Sequence, residues 1–221
     1  MTLETSAVEV SQVGTVAVVR MDDGRVNALS LEMTSRLRQA LDSVRDAGAI
    51  VLAGREGCFS AGLDRKSMLG TDPEVAIRNF NAVNQIYMLM LTLPAPTIVA
   101  CTGHALAAGA VFLLVTDVRF GCRTSAKIGL NEVQIGLPLV PIAVATARAR
   151  LASTAFVRAT LGGAVYDPVG AAEVGYLDEV VEPADLLERS IEHASRLAKL
   201  NRRAYVATRE LILAPILEGY R

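Results

Sequence analysis

Two short stretches of small residues carry the chemistry this sequence is best equipped to do. Phe59-Ser60-Ala61-Gly62-Leu63-Asp64 and Gly103-His104-Ala105-Leu106-Ala107-Ala108-Gly109 each follow an apolar run and precede helical-looking sequence. Ser60, Ala61, Gly62, Ala107, Ala108 and Gly109 carry little or no side chain, so another molecule can approach their main chain closely. The first N–H groups of a helix have no partner within it, and the macrodipole makes that end positive. Each turn can therefore offer an amide to an anion, or to a carbonyl oxygen about to become one. The competing reading is packing alone, since small residues also let a buried helix lie against its neighbour. Among titratable groups, Glu132 by spacing alone is a solvated loop glutamate. His104 sits in a turn, where a bond to backbone is the commoner outcome. Asp64 suits a turn that ties back to its own N–H groups, and Asp117 ends a buried helix.

The elements that must position these residues follow from periodicity. Val8 to Val10 and Val16 to Val19 flank Gln12-Val13-Gly14 as a hairpin. Ser30 caps a helix marked by Leu31, Thr34, Leu37, Leu41 and Val44. Ala49 to Ala53 is a short buried strand, followed by a loop from Arg55 to Ser60 and a helical-looking Arg65 to Leu69. Asp72-Pro73 opens a long helix with an apolar face of Val75, Ala76, Phe80, Val83, Ile86, Tyr87 and Met90, and Pro94 and Pro96 end it. Thr97 to Ala100 leads into the second small turn, and Val118 to Cys122 is a further strand. Lys127 to Leu130 is short and extended. Helices are expected over Pro138 to Leu151, Thr154 to Leu161, Asp167 to Val174, Pro183 to Leu200 and from Arg202 onward, with a strand at Glu179 to Val181. Strands alternate with helices to residue 130 and helices dominate afterwards, which argues for an α/β fold with a mainly helical C-terminal third. Periodicity does not choose between a layered spiral and one open sheet.

Composition excludes several classes. The chain has 221 residues, room for one large domain or two small ones, and 52% are hydrophobic. It lacks tryptophan, and aromatics make up 5%, so the core must be aliphatic. With 22 basic and 23 acidic residues there is no electrostatic case for nucleic acid or an anionic membrane. The run from Ala105 to Val115 is shorter than the roughly 20 residues a bilayer demands. Met1 to Val10 has no basic cluster before an apolar stretch, so no secretory signal is expected. Three widely spaced cysteines, Cys58, Cys101 and Cys122, suit reduced thiols in a cytoplasmic protein. His104 and His193 without a close cysteine pair leave little material for a metal site.

Taken in order, the two small-residue stretches, Ile128-Gly129-Leu130-Asn131-Glu132-Val133-Gln134-Ile135-Gly136-Leu137, and Tyr166-Asp167-Pro168 through Val181 resemble the crotonase (enoyl-CoA hydratase/isomerase) family. The third stretch is similar to the mitochondrial-type Δ3,Δ2-enoyl-CoA isomerase branch. The resemblance covers nearly the whole chain. It implies a crotonase-like spiral of repeated ββα units, one domain over 1–221 with a spiral core at 1–182 and C-terminal helices at 183–221. It implies an acyl-CoA thioester as substrate, no cofactor and no metal, and a homotrimer or dimer of trimers. The family's C-terminal helices help cover the CoA and contact neighbouring subunits. This chain stops at Arg221, somewhat short of the family's usual end.

Carried over by position, the backbone N–H groups of Ala61 and Ala108 hold the thioester oxygen, with Ser60, Gly62, Leu63, Gly109 and Val111 around the substrate. Ala108 stands where the family commonly has glycine. Family hydratases use two glutamates that share a water. The first falls on Val111 here, and the second on Glu132. One carboxylate beside an oxyanion hole suits a proton shuttle, which moves a double bond from the 3,4 to the 2,3 position without adding water. Leu130, Val133, Ile135 and Leu137 are expected to desolvate Glu132 and raise its pKa. Lys66 lies either near the CoA phosphates or on an exposed helix face. Ala76, Phe80, Val83 and Tyr87 form either an acyl pocket or ordinary core. Other acyl-CoA reactions (hydrolysis, decarboxylation, hydration) and a non-catalytic acyl-CoA-binding protein remain the alternatives.

Overall fold

The computed structural model describes residues 7–64 and 72–218. Strands β1 (Val8–Val13) and β2 (Val16–Met21) form the expected hairpin. Its turn uses Gly14 at φ 59°, a conformation that glycine adopts without penalty. Parallel strands β3 (Ala49–Ala53), β5 (Thr97–Cys101), β7 (Val118–Cys122) and β9 (Glu179–Val181) extend β2 into a six-stranded sheet of order β1-β2-β3-β5-β7-β9. A second, all-parallel sheet holds β4 (Gly57–Ser60), β6 (Gly103–Leu106) and β8 (Ile128–Gly129). The chain alternates between them. β3 leads to β4, β5 to β6 and β7 to β8, and helices α2 (Pro73–Thr92), α3 (Ala108–Val115) and α4 (Pro141–Arg150) follow in turn. That is the spiral of ββα units.

Local sequence sets the helix ends. Ser30 accepts from Met33 N to start α1 (Leu31–Ser43), and Asp72 accepts from Glu74 N with Pro73 in the first turn of α2. Asp167 caps α6 (Pro168–Val174), which ends at Gly175 with φ 98°. One expected helix starts late. Glu132 leads into a single 3₁₀ turn at Val133–Ile135, Gly136 turns left-handed, and Val140 is extended at ψ 151° before Pro141. Prolines 138 and 141 account for this, since the residue before a proline is driven out of the helical region. The helical reading of Arg65 to Leu69, with Lys66, lies outside the described residues.

Strands β3 and β5 are buried at every residue, as parallel strands covered on both faces should be. On one face pack α1, α2 and the wholly buried α3. On the other, α7 (Leu186–Leu197) sets Leu186 and Ala194 against Val18, Val51, Ile98 and Phe120. Helix α5 (Ser153–Thr160) follows α4. The last helix, α8 (Arg202–Glu218), is tied in by buried Arg209, which donates to the carbonyls of Met90, Leu93 and Ala95 and pairs with Asp117 at 3.0 Å. Asp117 also accepts from the N–H of Thr97 at 2.8 Å and its hydroxyl at 3.0 Å, so its role is structural. No helix among the described residues is long and apolar enough to cross a membrane.

Candidate active site

The small sheet positions the site. β4, β6 and β8 lie side by side and run parallel, so the segments leaving them emerge at the same edge. Those segments are the turn at Ser60–Asp64, the N-terminus of α3 at Ala108, and Glu132. Crevices outside the carboxyl ends of parallel strands are where α/β folds bind ligands.

The two turns pack backbone on backbone. A Cβ built on Gly109 would lie 2.2 Å from Ser60 O, and one on Gly62 would lie 2.8 Å from Leu106 O and 3.2 Å from Ala108 N. Glycine is required at both places by contact, and at Gly62 also by φ 91°. Ser60 is fully buried. Its hydroxyl donates to Asn27 O at 2.8 Å and accepts from Gly62 N at 3.2 Å. Asn27, itself at φ 49°, donates through Nδ2 to Met21, Cys58 and Phe59 carbonyls. Nothing in the sequence marked Asn27 beyond a polar residue between Val26 and Ala28.

The expected pair of amides needs one correction. Ala61 N–H donates to Val26 O at 2.9 Å, so it is not free to bind anything else. The physical reason is alternation. Leu29 and Leu63 form a parallel bridge, in which Leu29 N–H donates to Gly62 O at 2.8 Å and Asp64 N–H donates to Leu29 O at 3.3 Å. In extended chain successive N–H groups point to opposite sides, and Leu63 N–H faces away from Leu29. Among the described residues neither Leu63 N–H nor Ala108 N–H has an acceptor. Ala108 opens α3, and the carbonyl of its own peptide unit, at Ala107, accepts from Ala110 N at 2.8 Å and Val111 N at 3.3 Å. Those bonds polarise the Ala108 N–H. Ala107 sits at φ 50°, a strained position for a residue with a Cβ.

Glu132 is half-buried, and its Oε2 is buried with no donor among the described residues. Burial pushes its carboxyl from the ordinary 4.5 up to about 7. The expected flanking residues are not all responsible. Leu130 is buried, but Val133, Ile135 and Leu137 are exposed, because the whole segment 133–138 lies at the surface. The enclosed neighbours are tyrosines instead. Tyr87 and Tyr176 are both pushed up, first by burial and further by the Glu132 charge. Tyr87 donates to Ala108 O, and Tyr176 accepts from Leu130 N at 3.3 Å. Phe112 packs edge-on against Tyr87 and Phe59, with centroids 5.1 and 6.1 Å away. Val111 is 1% exposed, so the position of a second acid is aliphatic and closed. Val83 and Tyr87 belong to the main core, while Ala76 and Phe80 are half-buried. His104 accepts through Nδ1 from Lys127 N at 2.9 Å, the backbone bond expected of it. No group of three or more His, Cys, Asp or Glu among the described residues is arranged to hold a metal.

Among the described residues this arrangement offers two N–H donors without acceptors and, in Glu132, a carboxylate that titrates near neutrality. It can polarise a carbonyl and move a proton beside it.

Comparison with known proteins identifies the family. The family described as enoyl-CoA hydratase/isomerase matches residues 11–216. A putative enoyl-CoA hydratase of Thermus thermophilus is 33% identical over 91% of this chain and 81% of its own length. Human mitochondrial enoyl-CoA delta isomerase 1 is 29% identical over 88% of this chain and 69% of its own. The crystal structure of an enoyl-CoA hydratase/isomerase family protein from Pseudomonas syringae superposes with TM-score 0.92 at 34% identity, covering 97% of this chain and 93% of that one. On the fold, the site and these matches, the chain belongs to the enoyl-CoA hydratase/isomerase family and is an acyl-CoA enzyme of the crotonase superfamily.

Proposed function

We propose that the enzyme is a Δ3,Δ2-enoyl-CoA isomerase. The thioester oxygen of a 3-enoyl-CoA accepts hydrogen bonds from Leu63 N–H and Ala108 N–H. The Glu132 carboxylate takes a proton from C2, and the electron pair delocalises onto the oxygen as an enolate. Protonated Glu132 then returns the proton at C4, the double bond settles at 2,3, and the carboxylate is regenerated. A base with a pKa near the working pH serves both half-steps. Ser60, Gly62, Gly109 and Val111 line the turns that enclose the thioester. No metal or redox cofactor is used.

The observation that carries this reading is a half-buried Glu132 with an aliphatic residue, Val111, in place of a second glutamate. Burial raises Glu132 to about 7, and buried Val111 stands where a second acid would orient a water. A 33%-identical relative bears a hydratase name, so the assay must separate the two reactions. The test offers 3-enoyl-, 2-enoyl- and saturated acyl-CoAs to wild type and Glu132→Gln. Isomerisation of the first alone, abolished in Glu132→Gln with binding retained, supports the proposal. Hydration of the 2-enoyl substrate, or hydrolysis of any, assigns another crotonase reaction. Binding without turnover assigns a carrier. The same reading takes a homotrimer or dimer of trimers, supported by the exposed apolar side chains of Leu211 and Ile212 on α8. It takes a cytoplasmic setting, supported by three free, buried cysteines.

A further inference from the structure

Helix α2 carries two polar side chains, Asn79 and Tyr87, among its buried residues, and both reach the main chain of the site. Asn79 is fully buried and donates through Nδ2 to Leu29 O at 3.0 Å. That carbonyl also receives Asp64 N–H, and Leu29 N–H holds Gly62 O, so Leu29 grips the peptides on both sides of Leu63. Tyr87 is 1% exposed and donates to the carbonyl of Ala108, the other residue with an unpaired amide. The two side chains lie a little over two turns apart, about 12 Å along the helix axis. Val83 and Ile86, buried between them, fix the helix against the core.

Neither bond is needed to satisfy the carbonyl it reaches. Leu29 O already has Asp64 N–H, and Ala108 O, as the first helical carbonyl of α3, can be served by the amide four residues on. Both side chains are expensive to bury. Asn79 leaves its Oδ1 without a donor among the described residues, and phenylalanine would fill the Tyr87 site without a hydroxyl. On this geometry we infer that α2 is the spacer that fixes the separation of the two amides, with Asn79 and Tyr87 as positioning residues. The inference rests on the oxyanion reading of Leu63 and Ala108. Donors in such a site act at 2.7–3.1 Å, so a small drift of either turn weakens both bonds to one oxygen.

The experiment uses a 2-enoyl-CoA labelled at the thioester carbonyl, with the stretching frequency read by isotope-edited infrared spectroscopy on the full-length protein. Turnover of a 3-enoyl-CoA is measured beside it. Asn79→Ala and Tyr87→Phe should each lose most of the red shift seen on binding to wild type. Each should lower kcat about ten- to a hundredfold while KM changes much less. Leu41→Val, a core substitution on α1, should be destabilised yet keep the wild-type shift and kcat. Asn79→Ala reads the Leu63 side and Tyr87→Phe the Ala108 side, so one suffices if the other does not fold. Absence of a red shift in wild type overturns the oxyanion reading and this inference with it. A red shift in wild type that both variants retain overturns the spacer role alone, as does an equal loss in Leu41→Val.

Discussion

Replacing Glu132 with Gln should stabilise the folded chain at about pH 8 and leave it nearly unchanged at about pH 3.5. The folded carboxyl titrates at about 7 and the ordinary value is 4.5. Between those two values the folded state binds more protons than the unfolded state, so stability falls as pH rises. Below both values the group is neutral in either state and has no effect. Above both, the full cost of holding a buried charge is present. At 1.36 kcal/mol per decade the interval amounts to about 3 kcal/mol. The Gln amide loses some hydration of its own, which trims the expected gain to about 2 kcal/mol. For a domain of this size each kcal/mol moves Tm by roughly 2–4 °C. Thermal unfolding of wild type and variant at the two pH values gives the double difference, in which every other titrating group cancels. A variant offset that is the same at both pH values would refute the reasoning, since Glu132 would then not be a buried acid that ionises near neutrality.

Three further outcomes follow from the same geometry. If Glu132 is the proposed base, kcat/KM for isomerisation should rise with pH through about 7 and level off above it, since only the carboxylate form takes a proton; a pH–rate profile checks this. Ala107→Gly should stabilise by about 1 kcal/mol, since φ 50° strains a residue with a Cβ, as a urea midpoint would record. Arg209→Ala should destabilise by about 3–5 kcal/mol, because it strands Asp117 and strips a donor from the carbonyls of Met90, Leu93 and Ala95. Loss of the α8 contribution to far-UV circular dichroism would accompany it.

The large sheet and the helix caps were legible in the sequence because each rests on local chemistry. Val/Ile/Ala runs bury on both faces, and Ser30, Asp72 and Asp167 accept from the next turn. Of the small sheet only β8, within the extended Lys127 to Leu130, was legible. Gly57–Ser60 reads as loop and Gly103–Leu106 as turn, since strands of four residues with glycine at the start show no alternation. Only pairing with each other makes them strands. The choice of amide failed for a related reason. A run of small residues signals that backbone is accessible but not which N–H stays without an acceptor, and the bridge from Leu29 to Leu63 decides that. The burial of Glu132 was expected from the sequence, but most of the residues that enclose it were not. Tyr87 and Asn79 on α2 look like one core residue and one polar intrusion until the fold brings Ala108 and Leu29 to them.

The central claim is that one oxygen sits between two main-chain donors, with a single acid alongside. A crystal structure with a bound non-reactive acyl-CoA tests it most directly. The thioester oxygen should lie within about 3.2 Å of both Leu63 N and Ala108 N, with the Glu132 carboxylate beside C2. A thioester oxygen bound elsewhere, or Glu132 turned to solvent away from C2, would contradict it.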